Sequence, residues 1–280
     1  MTSASPLLDL DRIRRGPFVR DVEWHDVITS TNDRGILATA ETDTVTPLLI
    51  LAGRQTAGRG RGRNLWWSGP GALTCSLVLD PQADLAAREV PPISLDRWPR
   101  IALTAGVALC DVLQHLAPQF SCEIKWPNDV LLAGKKLAGI LIESPAGAAP
   151  APRRLVIGMG MNANNSLAQA PPEIQAAASS LCDALGGPVD ATQLLIDWLA
   201  RFSERLDELS QSEPGLPARW RSLCALAGKI VELQSGSRIV RGPCRGIDAE
   251  GALIVETAGG PQRLYAGAVV RVVGCMNHRG

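Results

Sequence analysis

Two apolar runs, residues 47–52 and 73–79, read as core strands, and the roughly twenty residues joining them show neither helical nor strand periodicity. A connection of that length inside a compact domain is uncommon and tends to be functional. Its composition says what it answers to. Arg54, Arg59, Arg61 and Arg63 are interleaved with Gly58, Gly60 and Gly62, and Trp66 and Trp67 close the stretch. Glycine lets main-chain N–H groups come close to an anion, and guanidinium groups bind phosphate or carboxylate through paired hydrogen bonds. The segment is suited to closing over something anionic. Arg-Gly alternation also marks disordered RNA-binding segments, although its position between two buried strands argues against that reading.

The rest of the composition narrows the choice. The 28 Lys and Arg residues balance 28 Asp and Glu residues, which argues against a dedicated nucleic-acid binder and makes any basic site local. A length of 280 residues with 46% hydrophobic content supports one large core, or one large and one small domain. Seven cysteines are scattered without a Cys-x-x-Cys pair, as expected of reduced, mostly buried thiols in the cytoplasm rather than disulfides or zinc ligands. Only His25, His115 and His278 occur, so a histidine-rich metal centre is not expected. The start of the chain lacks a signal-peptide core, and no apolar run approaches the roughly eighteen residues of a membrane span. A soluble, cytoplasmic protein is expected, with no membrane contact.

Along the chain, residues 22–28 suit a strand, followed by Thr29, Ser30, Thr31 and Asn32, more polar groups than one helix cap requires. A helix is predicted from about Pro99 to Leu116, with His115 at its C-terminal end as a dipole partner. Residues 120–125, 130–132 and 137–142 read as strands, the first two joined by the turn Trp126-Pro127-Asn128-Asp129. Lys125 and Lys136 sit at the ends of these apolar strands, where a charge must find a partner or water. Residues 146–152 suggest an exposed hairpin tip. In the strand 155–162, Gly158, Gly160 and Asn162 share a face, which implies either a bulge or a closely approaching ligand. A helix over 191–209 is predicted with Asp190 as its cap, then a helical turn over 219–226. Beyond about residue 227 the pattern changes to five short strands with glycine-rich turns.

Taken together, the blocks Thr29-Ser30-Thr31-Asn32, Arg54-Gln55-Thr56-Ala57-Gly58-Arg59-Gly60-Arg61 with Trp66, Lys125-Trp126-Pro127-Asn128-Asp129, Lys136-Leu137-Ala138-Gly139-Ile140-Leu141, Gly158-Met159-Gly160-Met161-Asn162 and Arg245-Gly246-Ile247-Asp248 resemble, in this order, those of biotin protein ligases. The resemblance implies an α+β fold. A catalytic domain over residues 1–226 would have a mixed β-sheet packed on helices, of the class II aminoacyl-tRNA synthetase-like type, and residues 227–280 would form a small SH3-like barrel. It also implies the short form, without an N-terminal DNA-binding domain. One departure stands out. The family commonly continues with x-Gly-Arg-x-Trp after Gly-Arg-Gly-Arg, whereas Gly62-Arg63-Asn64-Leu65-Trp66 places the Gly-Arg pair one position early.

The implied activity is ATP-dependent: biotin becomes biotinyl-5′-AMP and is then transferred to a lysine of a biotin carboxyl carrier protein or domain, such as that of acetyl-CoA carboxylase. By motif, Ser30, Thr31, Asn32, Gln55, Gly58, Arg59, Arg61, Lys136, Gly139 and Gly158 would serve biotin. Trp66, Lys125, Asn128, Asn162 and Arg245 would serve ATP. Mg2+ would be held mainly through the ATP phosphates, with Asn162 as a candidate ligand. Lys136, Arg61 and Asp129 would be catalytic, Asp129 either accepting the incoming lysine's proton or fixing the turn. No DNA partner is expected, and oligomeric state is left open. A lipoate or octanoyl carrier ligase or transferase is the alternative, and a non-catalytic nucleic-acid-binding protein is the more distant one.

Overall fold

The computed structural model describes residues 8–145 and 154–275. The expected hairpin tip at 146–152 lies outside the described residues. Seven strands form the first sheet: β1 (Asp21–His25), β2 (Leu48–Ala52), β3 (Leu73–Leu79), β4 (Cys122–Lys125), β5 (Asp129–Leu132), β6 (Lys135–Glu143) and β7 (Leu155–Met161). Their spatial order is β1-β2-β3-β7-β6-β5-β4; β1 and β2 are parallel and every other pair is antiparallel. The β1–β2 crossover carries α2 (Thr31–Ala40), preceded in the chain by the single-turn α1 (Leu10–Arg14). The helices α3 (Ala83–Ala86), α4 (Ile101–Leu116), α5 (Pro172–Ala177), α6 (Leu181–Leu185), α7 (Ala191–Gln211) and α8 (Gly215–Ser222) complete the domain.

Period-two alternation gives the sheet two different faces. Leu49, Leu51, Leu77, Leu79, Leu155 and Ile157 belong to the main core with α4 and α7. Small residues on α4 permit the close approach: a Cβ on Gly106 would lie 3.5 Å from Ile124 and 3.6 Å from Val130. On α7, Trp198 stacks on Phe202 at 5.4 Å and donates its indole N–H to Ala105 O at 3.2 Å. The opposite face carries Leu48, Ile50, Val78 and Val156 beneath α2, where a Cβ on Gly35 would meet Val156 at 2.7 Å. Farther along these strands the same face bears Thr74, Ser76, Gly158 and Gly160. There the helix stops, and a polar, glycine-lined floor begins.

The C-terminal sheet comprises β8 (Lys229–Ser235), β9 (Arg238–Ile247), β10 (Leu253–Thr257), β11 (Gly260–Leu264) and β12 (Ala268–Cys275), ordered β11-β10-β9-β8-β12 and antiparallel throughout. The first part of β9 pairs with β8 and the second with β10. At Gly242, where the strand changes partner, a Cβ would sit 1.7 Å from Glu256 O, so only glycine fits.

Three local expectations need correcting. A 3-10 turn over Leu95–Arg100 contains Pro99, and the α-helix begins only at Ile101. The helical turn placed at 219–226 instead runs over Gly215–Ser222, with Pro217 near its start where a missing N–H is harmless. The chain then leaves the helix to pair with β4, Ile124 N donating to Leu223 O at 2.7 Å and Ala225 N to Ile124 O at 2.9 Å. The β7 strand runs in continuous register with both β3 and β6, so its glycines mark no bulge.

Candidate active site

The N-terminus of α2 sits over the polar floor. Ser30 is the N-cap, and Thr31 and Asn32 are buried beside it. Gln55 Oε1 accepts from Thr31 N at 2.8 Å and lies 3.2 Å from Thr31 Oγ1. Ser76 Oγ lies 2.7 Å from Thr31 Oγ1 and 2.6 Å from Asn32 Oδ1. Asn32 Nδ2 donates to Glu143 Oε2 at 2.9 Å. Asn32 lies directly on Gly158, where a Cβ would come 2.0 Å from its Oδ1. Three strands and one helix end therefore converge on a single hydrogen-bonded cluster, and the glycine is what lets Asn32 reach it.

Across from this cluster, the glycine–arginine connection is not structureless. Ile28 and Gln55 form a parallel bridge, and a small hairpin follows with Arg59 opposite Leu65. Gly60 N donates to Asn64 O at 2.9 Å and Trp66 N to Gly58 O at 2.8 Å. The tip is Arg61-Gly62-Arg63-Asn64, with Gly62 at φ +68, a left-handed conformation that favours glycine. The early Gly-Arg pair thus becomes the turn that brings Trp66 back beside Gly58. Arg59 pairs with both Asp33 and Glu143, and Arg61 donates to Gly267 O of the C-terminal sheet. The hydrogen bond to Asp33, helped by Glu143, raises the Arg59 guanidinium's pKa against the effect of burial. Trp66 lies flat against Gly160, whose Cβ would meet the indole at 2.4 Å. The buried Trp66 N–H has no partner among the described residues.

The third wall is the β4–β5 turn and the start of β6. Lys136 Nζ forms an ion pair with Asp129 Oδ1 at 2.7 Å, stands 5.8 Å from the Trp66 ring, and would crowd a Cβ on Gly139 at 3.3 Å. Asn128 Nδ2 donates to Ile140 O at 2.7 Å, pinning the turn. The cavity between these walls is a cleft with a volume of about 620 Å³. Ser30, Thr31, Asn32, Gln55 and Gly158 line its polar end, while Arg59, Arg61 and Trp66 line the hairpin side. Lys125, Asn128, Asp129, Lys136 and Gly139 line the third wall. The C-terminal sheet adds the turns at Gln234 and Gly236 and at Ala266 to Val269. Cys75 of β3 also touches the cavity, its thiol pushed up to about 12 by burial.

Three expected residues lie elsewhere. Gly58 is buried behind the hairpin, where a Cβ would strike Trp66 O at 2.8 Å; it shapes the loop without facing the cavity. Asn162 follows the end of β7, so the period-two rule no longer aims it at the floor. Its Nδ2 donates to Ser179 O at 3.0 Å and its Oδ1 accepts from Asn165 at 2.9 Å, and it does not line the cavity. Arg245 reaches Glu256 on β10 at 3.2 Å and does not line the cavity. Conversely, Ser76 and Glu143 are integral to the cluster and were not singled out by motif. Both are polar residues on the inward face of otherwise apolar strands, the one signal that could have found them.

Residues 24–162 match the Biotin/lipoate A/B protein ligase family, and residues 227–272 match the biotin protein ligase C-terminal domain. The bifunctional ligase/repressor BirA of Bacillus subtilis is 31% identical over 245 residues, covering 87% of this chain and 71% of the relative. The biotin–[acetyl-CoA-carboxylase] ligase of Mycobacterium tuberculosis is 30% identical over 246 residues, covering 87% and 86% respectively. A solved structure, the biotin protein ligase from Aquifex aeolicus in complex with biotin and ATP, aligns with a TM-score of 0.75 at 25% identity over 91% of this chain and all of that one. The chain belongs to the biotin protein ligase family.

Proposed function

We propose that the chain is an ATP-dependent biotin protein ligase that acts on a lysine of a biotin carboxyl carrier domain. The observation that carries the reading is the single cavity joining a hydrogen-bonding end at Ser30, Thr31, Asn32 and Gln55 to a cationic end at Arg61, Lys125 and Lys136. Biotin has that division, with a polar ring system at one end and a carboxylate at the other. In the first step a carboxylate oxygen of biotin attacks the α-phosphorus of ATP, the bond to the bridging oxygen breaks, and pyrophosphate leaves. In the second, the carrier amine attacks the acyl carbon of biotinyl-5′-AMP, loses a proton, and AMP departs.

Both steps redistribute negative charge about phosphate oxygens, and positioned cations in a water-poor cavity stabilise that charge far more than they would in water. Lys136, held by Asp129 at 2.7 Å and lining the cavity, would do so in this reading. Asp129 bonds Lys136 through one oxygen, leaving the other for the approaching amine's proton. Trp66, which lines the cavity, would provide an aromatic face for adenine. Among the described residues no group of three or more His, Cys, Asp or Glu side chains gathers to hold a metal, and the Asn162 amide is engaged. Those side chains do not build a magnesium site, and the ion would arrive on the ATP phosphates. No helix of the described chain is long and apolar enough to cross a membrane.

Biotin-dependent exchange of labelled pyrophosphate into ATP tests the reading. Exchange that requires biotin supports it. Exchange that lipoate or octanoate supports equally well would favour the lipoate alternative, which the match to a biotin protein ligase C-terminal domain disfavours.

A further inference from the structure

Arg59 is gripped at both terminal nitrogens. Its Nη1 donates to Asp33 and its Nη2 to Glu143. A guanidinium carries five N–H groups, so three remain for a ligand, and the two carboxylates fix the plane in which they point.

The two holders differ. The Asp33 side chain lies on the first turn of α2 and is 46% exposed. Glu143 ends β6 with only 22% exposure, and its second oxygen accepts from Asn32 Nδ2 at 2.9 Å. Asn32 is itself fixed, 2.6 Å from Ser76 and seated on Gly158. Glu143 therefore joins a residue of the cavity floor to the arginine of the hairpin from a rigid strand end. It does not line the cavity. Near a site for a carboxylate substrate an unpaired anion would repel the ligand, but both Glu143 oxygens are occupied by donors.

We propose that Glu143 is a positioning residue that aims the free N–H groups of Arg59 into the cavity toward bound biotin and couples that aim to Asn32, so that filling the polar end and seating the arginine hairpin are one event. The proposal rests on the biotin ligase reading.

A double-mutant cycle of Glu143→Gln and Arg59→Gln, followed by pyrophosphate exchange across biotin concentrations, tests it. Glutamine keeps the shape but replaces one acceptor oxygen with a donor, so it must release Asn32 or Arg59. The KM for biotin rises about tenfold to a hundredfold, the scale of losing a hydrogen bond to a charged group, with a smaller change in the KM for ATP. The double variant is then no worse than Arg59→Gln alone, and Asp33→Asn shifts the KM for biotin by less than Glu143→Gln does. Unfolding midpoints are measured for each variant; if Glu143→Gln folds poorly, Glu143→Asp carries the same cycle. Penalties that multiply in the double variant, or an unchanged KM for biotin in the single one, overturn the proposal while leaving the ligase reading intact. A wild-type protein without biotin-dependent exchange overturns both.

Discussion

Gly158→Ala perturbs the site at its tightest point. A methyl group there would lie 2.0 Å from Asn32 Oδ1, 2.8 Å from its Cγ and 3.0 Å from its Nδ2. Flipping the amide in place does not relieve contacts with all three of its atoms, so the Asn32 side chain must swing out of its place. It then gives up its contact with Ser76, its bond to the Glu143 carboxylate and a longer one to Leu141 O at 3.4 Å. One bond to a charged group and one neutral bond, with the third counted as negligible, amount to about 2–4 kcal/mol. For a domain of this size that corresponds to a drop in unfolding midpoint of roughly 5–15 °C. Because Asn32 forms the floor of the polar end, the KM for biotin in pyrophosphate exchange should rise by at least tenfold. Differential scanning calorimetry and exchange kinetics read the two effects. Gly160→Ala is the matched comparison: its methyl meets Trp66 instead, so its larger effect falls on the KM for ATP. A Gly158→Ala protein with wild-type midpoint and wild-type KM for biotin would refute this account of the floor.

Other expectations follow from the same geometry. Lys136→Ala removes the cation paired with Asp129 and should lower exchange by about a hundredfold or more, the scale of removing one preorganised stabilising group; near-normal exchange would remove Lys136 from the chemistry. Arg61→Gly deletes both a cation and the hairpin's bond to Gly267 O, so it should release activated biotin and label bystander lysines on an unrelated protein. Labelling at or below wild type would count against that role. Amide exchange across residues 54–67 should slow when biotin and ATP are added, because a hairpin held by two cross-strand backbone hydrogen bonds opens easily; unchanged exchange would contradict a closing hairpin. Iodoacetamide should leave Cys75 unlabelled in the native protein at pH 8, since its thiol is buried and pushed up to about 12; rapid labelling would mean that the cavity wall is open.

Much of the sheet was legible because apolar strands with sharp turns leave strong local signals: β5, β6, β7 and the five C-terminal strands fall close to where alternation and glycine place them. The parallel pairing of β1 with β2 was not, since it is a non-local contact that neither strand encodes. The small hairpin in the arginine loop is not legible in the sequence because a single bridge, Arg59 with Leu65, is too short to show a period. Motif placed most of the cavity-lining residues together. Two of its residues do not line the cavity, for different physical reasons: Asn162 lies just past a strand end, where alternation stops predicting direction, and Arg245 has a partner in Glu256. Ser76 and Glu143 went unremarked because their neighbours on other strands, Asn32 and Arg59, give them meaning only once the register is known.

The most direct test of the central claim is intact-mass analysis of a biotin carboxyl carrier domain incubated with the protein, biotin and ATP. One biotinyl group on a single carrier lysine, formed only when ATP is present and absent from a variant carrier lacking that lysine, is the predicted result. An unmodified carrier, or one acylated as readily by lipoate or octanoate, would contradict it.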